Sequence, residues 1–417
     1  MVVVNARLSE EVDSVTTYNV LKFGAVGDGK ANDTKAFVSA WEAACNKTRE
    51  NAKISVGSGK TYLVSEIQFQ GPCSSTSITF EVTHPFAITT QIHLIKKSHN
   101  WKYFIFSSTQ ILGNIVAPPR SAWQKKGSNE WLYFHRVDGL TVVGERQGVI
   151  DGRGETWWKN GDSISRPTAM RFSHCNRLEV RGLKHVNSQM NHVSINGCKN
   201  VTVSDLVMIA PSESPNTDGI DISNSIGLRI VNSSMETGDD CIAINGGTSQ
   251  VNISNIFCGP GHGISIGSLG KDGKREEVEA INIRNCTFNR TNNGVRIKTW
   301  QGGSGFARNI NFSQIIFIEA KNPVIINQNY CPHKICTEKT SAVNVSDVGY
   351  YGLRGTSISK NDATITFNCS KTVHCTNINV DDVDIKSAGS NQTTRSFCSN
   401  AHGKARGLMP ALGCLLK

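Results

Sequence analysis

From about residue 170 to residue 330 the chain repeats itself roughly every two dozen residues, and few folds accept that period. One series of short strands runs Leu178-Glu179-Val180, Val201-Thr202-Val203, Leu228-Arg229-Ile230, Val251-Asn252-Ile253, Ile281-Asn282-Ile283 and Ile310-Asn311-Phe312. A second series keeps step with it: Val193-Ser194-Ile195, Ile220-Asp221-Ile222, Ile242-Ala243-Ile244, Ile264-Ser265-Ile266 and Val295-Arg296-Ile297. Each strand alternates β-branched or apolar residues with polar ones, so one face is buried and the other is wet. A propeller blade needs about twice this period, and a leucine-rich repeat needs Leu at fixed steps that are absent. The pattern predicts an all-β solenoid, a right-handed parallel β-helix, with coils about 4.8 Å apart and a ridged outer surface suited to an extended polymer.

The entry to the solenoid differs. Gly24, Gly27 and Gly29 make a turn-rich segment, and Asn32-Asp33-Thr34 supplies capping oxygens for a helix running to about Cys45. Phe37, Trp41 and Ala44 share one face of it, which predicts a short N-terminal helix capping the end of the coils. Residues 1–17 are expected to be a flexible N-terminal segment, and residues 18–417 a single β-helix domain.

Charge and cysteines bound the function. The formal net charge of +10 fits an anionic partner or a merely solvated basic surface. Basic residues are scattered, with short clusters such as Lys271 to Arg275, and no basic run interleaved with aromatics favours nucleic acid. Thirteen cysteines without a CxxC pair argue against zinc. The close pairs Cys241/Cys258, Cys331/Cys336, Cys369/Cys375 and Cys398/Cys414 read as disulfide staples of an oxidising compartment. Triplets at Asn200, Asn232, Asn252, Asn289 and Asn344 fit N-glycosylation. No apolar stretch is long enough to span a membrane. The N-terminus, MVVVNARLSEEVDS, lacks the apolar core of a secretory signal, so a secreted protein is expected to have lost its signal here by truncation or a misplaced start.

Two positions before the first core residues Ile220, Ile242, Ile264 and Val295 stand Asp218, Asp240, His262 and Asn293, the first three spaced 22 residues apart. Two carboxylates and an imidazole should therefore stack on three successive coils, with Asp239 beside Asp240. Arg296 and Lys298 point outward on the next coil. A lone Asp-Gly would merely shape a turn, and carboxylates alone would also suit calcium. Three carboxylates converging with a His and two cations instead fit glycoside hydrolysis: an acid protonates the leaving oxygen, a second carboxylate activates water or attacks carbon, and the cations match an anionic sugar.

The segments Ser214-Pro215-Asn216-Thr217-Asp218-Gly219, Thr237-Gly238-Asp239-Asp240-Cys241, Cys258-Gly259-Pro260-Gly261-His262-Gly263 and Arg296-Ile297-Lys298 resemble the motif set of plant polygalacturonases. The resemblance runs from about Tyr18 to the C-terminus. It implies inverting hydrolysis of α-1,4-galacturonan in pectin, without a cofactor or metal, by a secreted cell-wall monomer that needs neither nucleic acid nor membrane. It further implies that Asp239 is the general acid, that Asp218 and Asp240 position and deprotonate water, and that His262 supports the acid. Arg296, Lys298 and Tyr330 are then substrate-binding residues. His192 and His402 are read as structural.

One stretch departs from this pattern. Residues 81–110 hold no Gly and no Cys and show no coil period. They read as an insertion, an intron translated in frame or a tolerated surface loop, expected to lie outside the regular coils. Competing readings of the whole chain are an inactive, allergen-like pectin-binding β-helix, a calcium-dependent pectate lyase and a rhamnogalacturonan hydrolase.

Overall fold

The computed structural model describes residues 15–82, 113–123, 129–159, 165–332, 336–359, 363–389 and 393–415. Its strands pair in parallel, each with its counterpart about one repeat later, and the chain winds as a right-handed parallel β-helix. Both sequence series lie in register. Leu178, Val201, Leu228, Val251, Ile281 and Ile310 are successive partners, and the column continues to Val348 and Ile378. On another face Met170, Val193, Ile220, Ile242, Ile264, Val295 and Val324 stack in the same way.

These columns form the core because their side chains are fully or almost fully buried. Each buried Val, Leu or Ile contributes about 1.5–3 kcal/mol relative to exposure. Aromatic rings use the same repeat: Phe134 stacks on Phe69 and on Phe172 with centroids 4.5 and 5.2 Å apart. Within the long strands Ile226–Glu236, Thr248–Cys258 and Arg275–Asn289 the chain bends through left-handed residues, which Asn adopts at little cost. Asn232, Asn255 and Asn285 hold such positions on successive coils. Asn255 donates to Asn232 at 2.9 Å and Asn285 to Asn255 at 2.6 Å, so these bends are tied coil to coil.

The helix Thr34–Asn46 (α1) closes the first coils as expected, with Phe37, Trp41 and Ala44 buried. Trp41 packs on Phe69 at 5.0 Å and on Phe134 at 5.8 Å, covering the end of the aromatic stack. Of the expected capping oxygens, Asn32 Oδ1 accepts from the N–H of Thr34, the first helical residue, at 3.0 Å. Asp33 makes no side-chain cap; its carboxylate accepts instead from the backbone N–H groups of Val26 and Gly27, at 2.7 and 3.2 Å. It thereby pins the Gly-rich entry loop against the helix start.

Two boundaries move. Val15–Asn19 is a strand paired with Asn51–Val56, so residues 15–17 belong to the folded body; residues 1–14 lie outside the described residues. The strand Ile78–Val82 carries Glu81 and Val82 in register with Val143 and Val56, and Val82 is fully buried. The regular coil therefore runs two residues into the stretch read as an insertion, because Val82 fills an inward position. Residues 83–112 lie outside the described residues. The neighbouring coils join the corresponding strands through 57–60 and 144–148, where this coil has 83–113.

Disulfides join Cys241 to Cys258, Cys331 to Cys336, Cys369 to Cys375 and Cys398 to Cys414, the four pairs expected from spacing. A fifth, Cys45–Cys73, ties the end of α1 to the loop after Ile67–Gln70. Its partners lie too far apart in sequence for spacing alone to pair them.

Candidate active site

The acidic column forms where the chain enters successive strands of one face. Asp218 precedes Ile220–Ser223, Asp239 and Asp240 precede Ile242–Ile244, and His262 precedes Ile264–Leu269. Close coil packing sets these turns. A Cβ on Gly238 would lie 2.0 Å from the Ser214 carbonyl oxygen, so only glycine lets Asp239 sit this near the Ser214–Asn216 turn. Backbone hydrogen bonds link the levels: His192 N–H donates to the Asp218 carbonyl, Gly219 N–H to that of Asp240, and His262 N–H to that of Asp239. Asn293, next in the column, donates to the His262 carbonyl at 3.1 Å.

Asp240 is 2% exposed, and both its oxygens are engaged. One accepts from Ser265 Oγ and from Arg296, each at 2.8 Å; the other accepts from Lys298 Nζ at 3.0 Å. Arg296 Nε also donates to Ser265 Oγ at 2.9 Å. These bonds satisfy the buried carboxylate and hold the two cations in the groove wall. Calcium, weighed from the carboxylates alone, would meet these cations head-on. Tyr330 joins the cluster: Lys298 Nζ lies 5.6 Å from its ring centroid, and Trp300 packs edge-on at 5.4 Å.

Asp239 is held differently. Its Oδ1 lies 2.8 Å from His262 Nδ1 and accepts from the Asp240 N–H at 2.9 Å. Its Oδ2 accepts from Asn216 Nδ2 at 3.4 Å. The electrostatics split the carboxyls. Burial, then the Asp239 and Asp240 charges, raise Asp218 well above the ordinary carboxylate range. Burial also acts to raise Asp239, but the His262 hydrogen bond and charge, with Lys298, leave it below that range. Two neighbouring carboxyls pushed apart in this way are suited to acid–base work.

This geometry brings together all seven residues singled out from the sequence: Asp218, Asp239, Asp240, His262, Arg296, Lys298 and Tyr330. His192 is buried beside His185, their rings 6.3 Å apart, and burial holds both below the usual imidazole range. His402 lies away from the column, at the surface, where its Nε2 meets His374 Nδ1 at 2.7 Å.

The chain matches the pattern of "Glycosyl hydrolases family 28" over residues 45–407. It belongs to that family. Among curated relatives, a probable polygalacturonase of Arabidopsis thaliana is 42% identical over 96% of this chain and 81% of its own length. A polygalacturonase of Prunus persica is 38% identical over 98% of this chain and 96% of its own. Among solved structures, endo-xylogalacturonan hydrolase from Aspergillus tubingensis superposes with a TM-score of 0.74 at 23% identity, covering 93% of this chain and 96% of that one. The polygalacturonase of Erwinia carotovora gives 0.64 at 17% identity, over 94% and 97%. This family 28 chain is a glycoside hydrolase.

Three further groups in the family 28 site were not singled out from sequence. Ser265 bridges Asp240 and Arg296; its place between core residues Ile264 and Ile266 marks it as outward-facing. Asn216, inside a quoted motif, reaches Asp239. Asp221 shares Ser265's outward column, accepts from Asn245 at 3.0 Å, and is raised to about 6, chiefly by burial. It lines a cleft of about 520 Å³ with Arg166, Arg171, Ser194 and Asn216, on the N-terminal side of the carboxylates.

Proposed function

We propose that this enzyme hydrolyses α-1,4-galacturonosyl linkages of pectin with inversion. The observation that carries the reading is Asp240 clamped by Arg296 and Lys298 beside the His262–Asp239 pair: proton-transfer groups stand next to cations that fit a galacturonate carboxylate. Asp239 gives its proton to the glycosidic oxygen as the C1–O bond breaks. Asp218, made more basic by its surroundings, takes the proton of the water whose oxygen bonds to C1, while Asp240 orients that water.

With these neighbours alone the proton favours Asp218, whereas the reaction needs it on Asp239. An anionic chain adds negative charge and displaces water, and both effects raise Asp239 toward its protonated form. His262 Nδ1, 2.8 Å from Asp239 Oδ1, holds that carboxyl in place. Arg296, Lys298 and Tyr330 hold the sugar. The disulfides support an oxidising compartment and hence secretion; the exposed sequon residues Asn200, Asn232 and Asn344 support glycosylation there.

Asp239→Asn tests the assignment. The change keeps shape and removes the acid, so kcat on polygalacturonate should fall about 10²–10⁴-fold with the melting temperature little changed. Turnover near that of the parent enzyme would remove Asp239 from the mechanism.

A further inference from the structure

We propose that Arg166 is a positioning residue for this reaction, holding the Asp239 carboxyl in its working orientation through Asn216. The inference rests on the reading of Asp239 above. Arg166 is 4% exposed and comes from a segment 50 residues before Asn216. Its Nη2 donates to Asn216 Oδ1 at 2.6 Å. Its Nη1 donates to the carbonyl oxygens of Gln189, at 3.3 Å, and Pro215. A buried guanidinium therefore ties the Gln189 loop to the Pro215–Asn216 turn.

The chemistry fixes one orientation. A guanidinium has donors and no acceptor, so the amide oxygen of Asn216 must face Arg166. The amide N–H₂ must then face the other way, where Asp239 Oδ2 lies 3.4 Å off. Asp239 is thus gripped from both sides: His262 and the Asp240 N–H on Oδ1, Asn216 on Oδ2. Contacts of this length tighten when substrate loads. Without Arg166 the amide is free to turn its oxygen toward Asp239, which repels the ionised carboxyl and releases its plane. The turn itself has other supports, since Ser214 Oγ bonds the Pro211 carbonyl at 2.6 Å and Thr217 Oγ1 at 2.7 Å. Arg166 is therefore needed for the direction of the amide more than for the turn.

The sign of the effect follows. Asn216 donates to the ionised form of Asp239 and so lowers its pKa; losing that donor raises it. The other charged groups facing Asp239 are His262 on the next coil, Asp218 on the preceding one, adjacent Asp240, and Lys298. All are unchanged in the variants below.

The test is ¹³C NMR titration of the Asp239 carboxyl, with steady-state kinetics, in Arg166→Met, Asn216→Ala and the double variant. Each single variant should move the Asp239 titration up by about 0.5–1 pH unit, the worth of one lost hydrogen bond. The alkaline limb of the kcat profile should move up with it, and kcat should fall about tenfold while KM changes little. The double variant should be no worse than either single one, because both changes cut the same link. An unmoved titration in either variant, or losses that multiply, would overturn the proposal. If Arg166→Met does not fold, Asn216→Ala alone decides it: an unmoved titration is then sufficient refutation. A parent enzyme that leaves polygalacturonate intact would count against the proposed function, while the titration would still judge this link.

Discussion

Residues of one type do different work here according to what surrounds them. Asp240 is caged by Arg296, Lys298 and Ser265, Asp239 pairs with His262, and Asp218 is pushed toward its neutral form by burial and two neighbouring charges. Asp221 is the sharpest case for stability. Its carboxyl titrates at about 6 in the fold against about 3.9 unfolded. A raised carboxyl favours the folded state below about pH 4, and that contribution is lost as the pH rises through about 6. Asp221→Asn should therefore leave the melting temperature unchanged near pH 4 and raise it near pH 7. Thermal melts across that window check this; a variant that is less stable at pH 7 would contradict it. The spacing of 22 residues placed Asp218, Asp240 and His262 in one column before any coordinates. It could not show Arg166 and Asn216, because their link depends on how two loops, far apart in sequence, meet in space.

At the scale of elements, both strand series were legible because inward Ile and Val recur at a fixed step, and the structure sets those residues in register. The capping helix was legible from Phe37, Trp41 and Ala44. Less legible was where one element stops. Asp33 looks like a cap and instead holds the entry loop, and Val82 looked like inserted sequence but fills a core position. Local pattern does not distinguish these cases, since both depend on partners supplied by another coil. The coils on either side of Ile78–Val82 suggest a direct test. Residues 57–60, Gly-Ser-Gly-Lys, connect the same register positions one coil earlier. Replacing residues 83–113 with that tetrapeptide should leave soluble yield undiminished and the circular dichroism spectrum that of a β-helix. Loss of the folded spectrum would mean that the replaced stretch contributes to the core.

As a whole molecule, the protein is a stack of coils whose inner columns are apolar and whose outer columns differ in charge. The acid–base cluster lies midway along one face, with a cleft on its N-terminal side and the Lys298–Tyr330–Trp300 group on the other. An extended anionic chain lying along the axis would meet both. With a formal charge of +10 the protein also draws such a chain in from a distance, more strongly at low salt. Hydrolysis of galacturonan is read out by time-resolved proton NMR of polygalacturonate digestion in the presence of a chelator. An inverting hydrolase gives new reducing ends that are saturated and appear first as the β-anomer, before mutarotation. Unsaturated ends would identify a lyase, first appearance of the α-anomer would identify retention, and binding without any new ends would leave only a pectin-binding β-helix; each would contradict inverting hydrolysis.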